Sequence, residues 1–118
     1  MLSKTELKNI VTELLPYIKE RGQYALSQIN NLQLNVHKDL VDVTTQIDLE
    51  IEADFKQMIT AKFPEFSFLG EEFGHTQTES EYTWVIDPID GTKYYAQGVP
   101  MWTTTVALLK NNEPVLGI

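Results

Sequence analysis

Trp84-Val85-Ile86-Asp87-Pro88-Ile89-Asp90-Gly91-Thr92 is the stretch that decides how this chain is read. Three strand-forming residues run into two carboxylates spaced three apart, and these lead straight into Gly-Thr. Trp84, Val85 and Ile86 suit a buried strand, which puts Asp87 where that strand meets the surface. Pro88 is expected to stop the strand, because it has no N–H for the ladder, and Gly91 frees the backbone for a tight turn or close approach to a ligand. On this pattern Asp87 and Asp90 converge on one point. Two close carboxylates repel unless a proton or a cation lies between them. Hard oxygen ligands suit magnesium or manganese, and the backbone N–H groups after Asp90 are placed to meet a phosphate. Metal-assisted phosphate chemistry is the expectation.

Upstream, Phe66-Ser67-Phe68-Leu69 alternates as a strand and delivers Gly70-Glu71-Glu72, and a polar loop from Gly74 to Glu81 is expected next. An acidic pair at a strand end is ordinarily solvated loop charge. If the two strands are neighbours, however, Glu71, Asp87 and Asp90 meet at one edge. Thr45-x-x-Asp48 reads as a capping box. Ile47, Ile51, Phe55, Met58, Ile59 and Phe63 then recur at helical spacing until Pro64 closes the helix. Asp48 is accounted for equally well as a cap favoured by the helix dipole, and Glu50, Glu52 and Asp54 as a solvated helix face. Thr92 reads either as a turn-capping hydroxyl or as a holder of water for attack on phosphorus.

Ser3-x-x-Glu6 opens an earlier helix whose apolar face is Leu7, Ile10, Val11, Leu14 and Leu15. Pro16 is expected to kink or divide it. Tyr17, Ile18, Ala25, Leu26 and Ile29 continue the pattern, Gly22 signals close packing against another element, and Asn30-Asn31 ends it. Leu32, Leu34 and Val36 suggest a short strand. Downstream, Thr103 to Leu109 and Pro114 to Ile118 read as a hairpin turned by Asn111-Asn112. Helices first and strands afterwards make an α+β plan.

With 118 residues, the chain holds one domain, and nine basic against seventeen acidic side chains give a net charge of −8. That balance disfavours nucleic acid, which needs a basic face. It also repels an anionic substrate unless cations invert the local field, so metal is a requirement of the phosphate reading. The absence of cysteine excludes disulfides, a thiolate nucleophile and Cys-ligated zinc. Met1 to Glu6 lacks the apolar core of a signal peptide and no segment approaches bilayer-spanning length, so no membrane partner and a cytoplasmic location are expected. His37 and His75 lack zinc spacing, and Lys93 after Gly91-Thr92 lacks the glycine-rich run of a P-loop. Trp102, Tyr94 and Tyr95 read as core or pocket wall.

Gly70-Glu71-Glu72, followed by Asp87-Pro88-Ile89-Asp90-Gly91-Thr92, resembles the signature of the inositol monophosphatase family. Val43-Thr44-Thr45 with Asp48 and Glu52 is similar to the family's pattern at an earlier helix start, and the likeness runs from about Gly22 to the end. The resemblance implies a layered αβαβα sandwich with a mainly antiparallel sheet, of which residues 1–118 form the N-terminal, metal-binding portion. It implies a magnesium-dependent phosphomonoesterase, with manganese as the alternative ion. By motif match, Glu71, Asp87 and the Ile89 carbonyl hold a first metal, Asp87 and Asp90 a second, and Glu71 helps with a third. Glu71 and the run Ile89, Asp90, Gly91 and Thr92 face the substrate, with the Gly91 and Thr92 N–H groups on its phosphate. Asp48, Glu71 and Thr92 are the catalytic set, Thr92 with Asp48 orienting and helping to deprotonate the attacking water.

Family chains are much longer and carry a Trp-Asp motif in a second half that this sequence lacks, so a fragment of a larger enzyme is the favoured reading. Family members are often homodimers. Inositol-phosphate members commonly carry Asn-Phe after the hexapeptide, whereas Gly98-Val99-Pro100-x-Trp102 looks closer to the histidinol-phosphatase branch. Inositol monophosphate and histidinol phosphate are therefore rival substrates, with nucleotide and fructose bisphosphates still open. A catalytically incomplete cation-binding or interaction module is the competing function.

Overall fold

Helix caps and strand-forming runs divide the residues that this computed structural model describes, 1–31 and 45–118. The strand expected at Leu32, Leu34 and Val36 lies outside the described residues, as do His37 and Val43-Thr44.

Helix α1 (Lys4–Ser27) starts at Ser3, whose hydroxyl accepts the Glu6 N–H at 3.1 Å. It runs 24 residues with Pro16 inside it, so the expected division does not occur. Pro16 and Thr12 are both exposed, which leaves the Thr12 carbonyl that loses its partner open to water. The helix is held by Ile10, Leu14, Ile18 and Ala25, all buried on one face. At about 1.5–3 kcal/mol for each large side chain, that burial exceeds the roughly 3 kcal/mol an internal proline costs. Gly22 is a second correction. Among the described residues a Cβ there would meet nothing within 4 Å, so no close packing explains it. It borders instead an open groove of about 460 Å³ between α1 and Trp102-Thr103-Thr104. The helix also ends at Ser27, short of Asn30-Asn31.

Helix α2 (Gln46–Lys62) begins with the expected reciprocal capping box between Thr45 and Asp48. Its buried stripe is Ile47, Ile51, Phe55 and Ile59, joined by Asp48 and Glu52. It stops at Phe63, as the residue before Pro64 should.

The strands are β1 (Ser67–Gly70), β2 (Gly74–Thr76), β3 (Tyr82–Asp90), β4 (Thr103–Lys110) and β5 (Glu113–Gly117). They form one sheet in the order β2-β1-β3-β4-β5, antiparallel throughout except for the parallel pair β1 and β3. The stretch expected to be a plain polar loop from Gly74 thus supplies an edge strand, Gly70 pairing with Gly74. Pro88 does not stop its strand. β3 continues to Asp90, and its register with β4 shifts between Asp87 and Asp90. A bulge at that point accommodates the missing proline N–H. Asn111 (φ 49°) and Asn112 (φ 69°) form the two-residue hairpin turn, which needs positive φ at both positions.

Alternation along the strands sends Phe68, Trp84, Ile86, Val106 and Leu108 into the core with the two long helices. Phe63 lies 5.4 Å from Trp84 between ring centroids, closing that end of the core. The other sheet face carries half-buried Val85, Ala107 and Leu109 and exposed Leu69. The architecture is α+β, helices before a mainly antiparallel sheet. No described helix is long and apolar enough to cross a membrane.

Candidate active site

Parallel pairing of β1 with β3 sets Gly70 opposite Ile86, so Glu71 and Asp87 leave the sheet at the same edge. Glu71 is exposed and Asp87 half-buried, and together they line an open cavity of about 340 Å³ with Leu69, Gly70, Val85 and Ile86. Burial pushes the Asp87 carboxyl above its ordinary value. A hydrogen-bonding contact with Glu71 opposes that push, the negative charges of Asp90 and Asp48 add to it, and a bond from the Ile89 N–H opposes it. One Asp87 oxygen, Oδ1, is buried and has no hydrogen-bond partner among the described residues.

The expectation that these carboxylates converge on a point is met only in part. Glu71 touches Asp87, and Asp90 acts on Asp87 through its charge. Among the described residues no three acidic, histidine or cysteine side chains close into a ready-made metal cage. Like charges hold apart unless something positive draws them in. The donor set nonetheless suits a hard divalent cation: carboxylates, an orphaned buried oxygen, and the Ile89 carbonyl, which lies 2.8 Å from Thr92 Oγ1.

Asp90 ends β3 exposed, and Gly91 then turns the chain at φ 92°. A Cβ at Gly91 would lie 2.8 Å from the Met101 carbonyl oxygen, so only glycine fits. The turn starts the short helix α3 (Thr92–Ala96), with the Tyr94 and Tyr95 N–H groups donating to the Gly91 carbonyl. Thr92 Oγ1 stands 2.9 Å from Asp48 Oδ1 and 2.8 Å from the Ile89 carbonyl, and its single proton serves one of them at a time.

Asp48 is buried, only 2% exposed, and divides its oxygens. Oδ2 takes the Thr45 N–H at 2.9 Å and the Thr45 hydroxyl at 2.5 Å, while Oδ1 faces Thr92. The cap reading of Asp48 is therefore met, and its other oxygen is left facing Thr92. Burial raises its carboxyl, and the bonds from Thr45 and Thr92 work against that rise.

The solvated-face reading of Glu50, Glu52 and Asp54 is overturned at Glu52. Glu52 is completely buried and accepts the N–H groups of Glu72 and Phe73. Asp54 pairs with Arg21 of α1 at 2.7 Å. Glu52 lies four residues after Asp48, hence on the same helical face, and that phase was the signal to follow. Tyr95 belongs to the core, the first of the two roles expected for it. Fully buried, it donates from its hydroxyl to the Ala25 carbonyl at 2.5 Å and meets Trp102 edge-on, tying α3 to α1. Tyr94 is largely exposed, and His75 sits exposed on β2.

Comparison with known proteins bears on the fold and the family. A histidinol-phosphatase of Mycobacterium tuberculosis is 39% identical over 88 residues, covering 75% of this chain and 34% of its own length. A fructose-1,6-bisphosphatase/inositol-1-monophosphatase of Aquifex aeolicus is 39% identical over 87 residues, covering 74% of this chain and 32% of its own. The chain thus spans about a third of these curated relatives. Among solved structures, an inositol monophosphatase of Thermotoga maritima superposes with a TM-score of 0.77 at 26% identity, over 90% of this chain and 42% of that one. An inositol monophosphatase/NADP phosphatase complexed with Mg2+ and phosphate gives 0.81 at 25% identity, over 94% and 43%. The family model for inositol monophosphatases matches residues 5–118, and the chain belongs to that family.

Proposed function

We propose that this chain is the N-terminal, metal-binding portion of a magnesium-dependent phosphatase acting on a small phosphate monoester. The observation that carries the reading is Asp87, raised by burial and by neighbouring carboxylates, with a buried oxygen that lacks a partner at the mouth of a cavity. Glu71, Asp87, Asp90 and the Ile89 carbonyl would hold the cation, with Mn2+ as a substitute for Mg2+. When bound, a divalent ion neutralises phosphate oxygens, acidifies water and steadies the leaving alkoxide.

The remaining roles belong to the chain itself. Gly91 and Thr92 stand at the start of α3, where no intrahelical acceptor claims their N–H groups, and these would meet phosphate oxygens. Thr92 Oγ1 hands a water's proton toward Asp48 Oδ1, which burial makes a better acceptor than a solvated carboxylate. Ile89 and Asp90 fix the loop against which the substrate rests, and Glu71 closes it from the β1 side. Resemblance to histidinol and inositol phosphatases favours those two phosphate esters.

The test is release of inorganic phosphate from inositol monophosphate and from histidinol phosphate, with Mg2+ and with EDTA. The reading expects release with Mg2+ only, and a loss of roughly a hundredfold or more in Asp90→Asn, which keeps shape but removes charge. Undiminished turnover in EDTA or in Asp90→Asn contradicts it. The lack of a ready-made three-ligand cage among the described residues favours one second reading, a cation-binding module without turnover, for which Mg2+ binds but neither ester is hydrolysed.

A further inference from the structure

Helix α2 presents two carboxylates one turn apart, and each ends at a different loop of the site. Asp48 reaches Thr92. Glu52 reaches the turn between β1 and β2: Oε1 lies 2.9 Å from the Glu72 nitrogen, and Oε2 lies 3.0 Å from that nitrogen and 2.5 Å from the Phe73 nitrogen. A fully buried carboxylate is costly unless charged or hydrogen-bonded partners compensate it. Here the partners are backbone N–H groups, which make strong bonds to an ionised acceptor. The sequence also clears the space. A Cβ on Gly70 would come within 2.6 Å of Glu52 Cδ and Oε2 and 3.0 Å of Oε1, so the carboxylate lies against a bare Cα.

We propose that Glu52 is a positioning residue: by gathering the Glu72 and Phe73 N–H groups over Gly70, it fixes the turn that aims Glu71 at Asp87. The proposal rests on the metal reading above and deepens it. Glu71 is exposed and stands on a turn that crosses between two edge-side strands, where an unanchored backbone would sample many directions. Glu52 sets that turn during folding, so cation binding does not have to order it.

Amide hydrogen exchange on the full chain, read by NMR, is combined with calorimetric Mg2+ titration of wild type, Glu52→Gln and Gly70→Ala. Glu52→Gln replaces one acceptor by an NH2 group that faces N–H donors, and Gly70→Ala pushes the carboxylate off the turn without changing it. The expected result is slow exchange at Glu72 and Phe73 in wild type and faster exchange in both variants. Mg2+ binding should weaken by about tenfold to a hundredfold in each, at a temperature where circular dichroism shows them folded. Fast exchange at both amides in wild type overturns the proposal with no variant needed. Variants that loosen the turn yet keep wild-type Mg2+ affinity overturn it while leaving the metal reading intact. A wild type that fails to bind Mg2+ removes the metal reading and with it the aiming role, whereas protected amides would still show the clamp.

Discussion

Asp48 caps α2 with one oxygen and faces Thr92 with the other, and its burial makes it a reporter of the site. Because its carboxyl is raised, the folded chain holds that proton more tightly than the unfolded chain does. The stabilisation it brings is complete below the unfolded value of about 4 and is lost as pH rises through the raised folded value. Asp48→Asn does not titrate. Thermal melts in EDTA between about pH 4 and 7 should therefore show wild type losing ground to the variant as pH rises; parallel curves would contradict this. Gly91→Ala faces both a left-handed backbone and the Met101 carbonyl, so it should cost more than about 1–2 kcal/mol in a urea titration. At this scale Gly91 and Thr92 were legible because a Gly-Thr pair after a strand marks a turn, and Asp87 and Asp90 because they share the strand that leads into it. Glu52 was not, since a charge run reads as solvated until its helical phase is matched to Asp48.

Element boundaries followed local chemistry wherever a cap or a turn dictated them. The Thr45 box, the stop before Pro64 and the Asn111-Asn112 turn are examples. Pro16 does not divide its helix and Pro88 does not stop its strand, for a common reason. Pro16 faces solvent and Pro88 sits at a bulge, so neither site needs the N–H that proline lacks. Pro16→Ala should accordingly restore a helix hydrogen bond and raise stability by about 1–2 kcal/mol, part of the gain being offset by a freer unfolded chain. Chemical denaturation reads this directly, and an unchanged or lowered midpoint would contradict it. Trp84, at 0% exposure in the middle of β3, should cost about 3–5 kcal/mol when cut to alanine. Gly74-His75-Thr76 was missed as a strand because it is short and polar and owes its state to pairing with β1.

Across the whole molecule, a net charge of −8 and a sheet edge crowded with carboxylates would repel an anion unless cations offset them. The α+β plan was legible in the order of helical and alternating patterns. The parallel pairing of β1 with β3 was not, although it is what brings Glu71 beside Asp87. The most direct test of the central claim is calorimetric titration of inorganic phosphate into the chain with Mg2+ and with EDTA. The account predicts binding with Mg2+ only, and phosphate and Mg2+ tightening one another by the same factor. Phosphate binding of equal strength in EDTA, or Mg2+ affinity indifferent to phosphate, would contradict it.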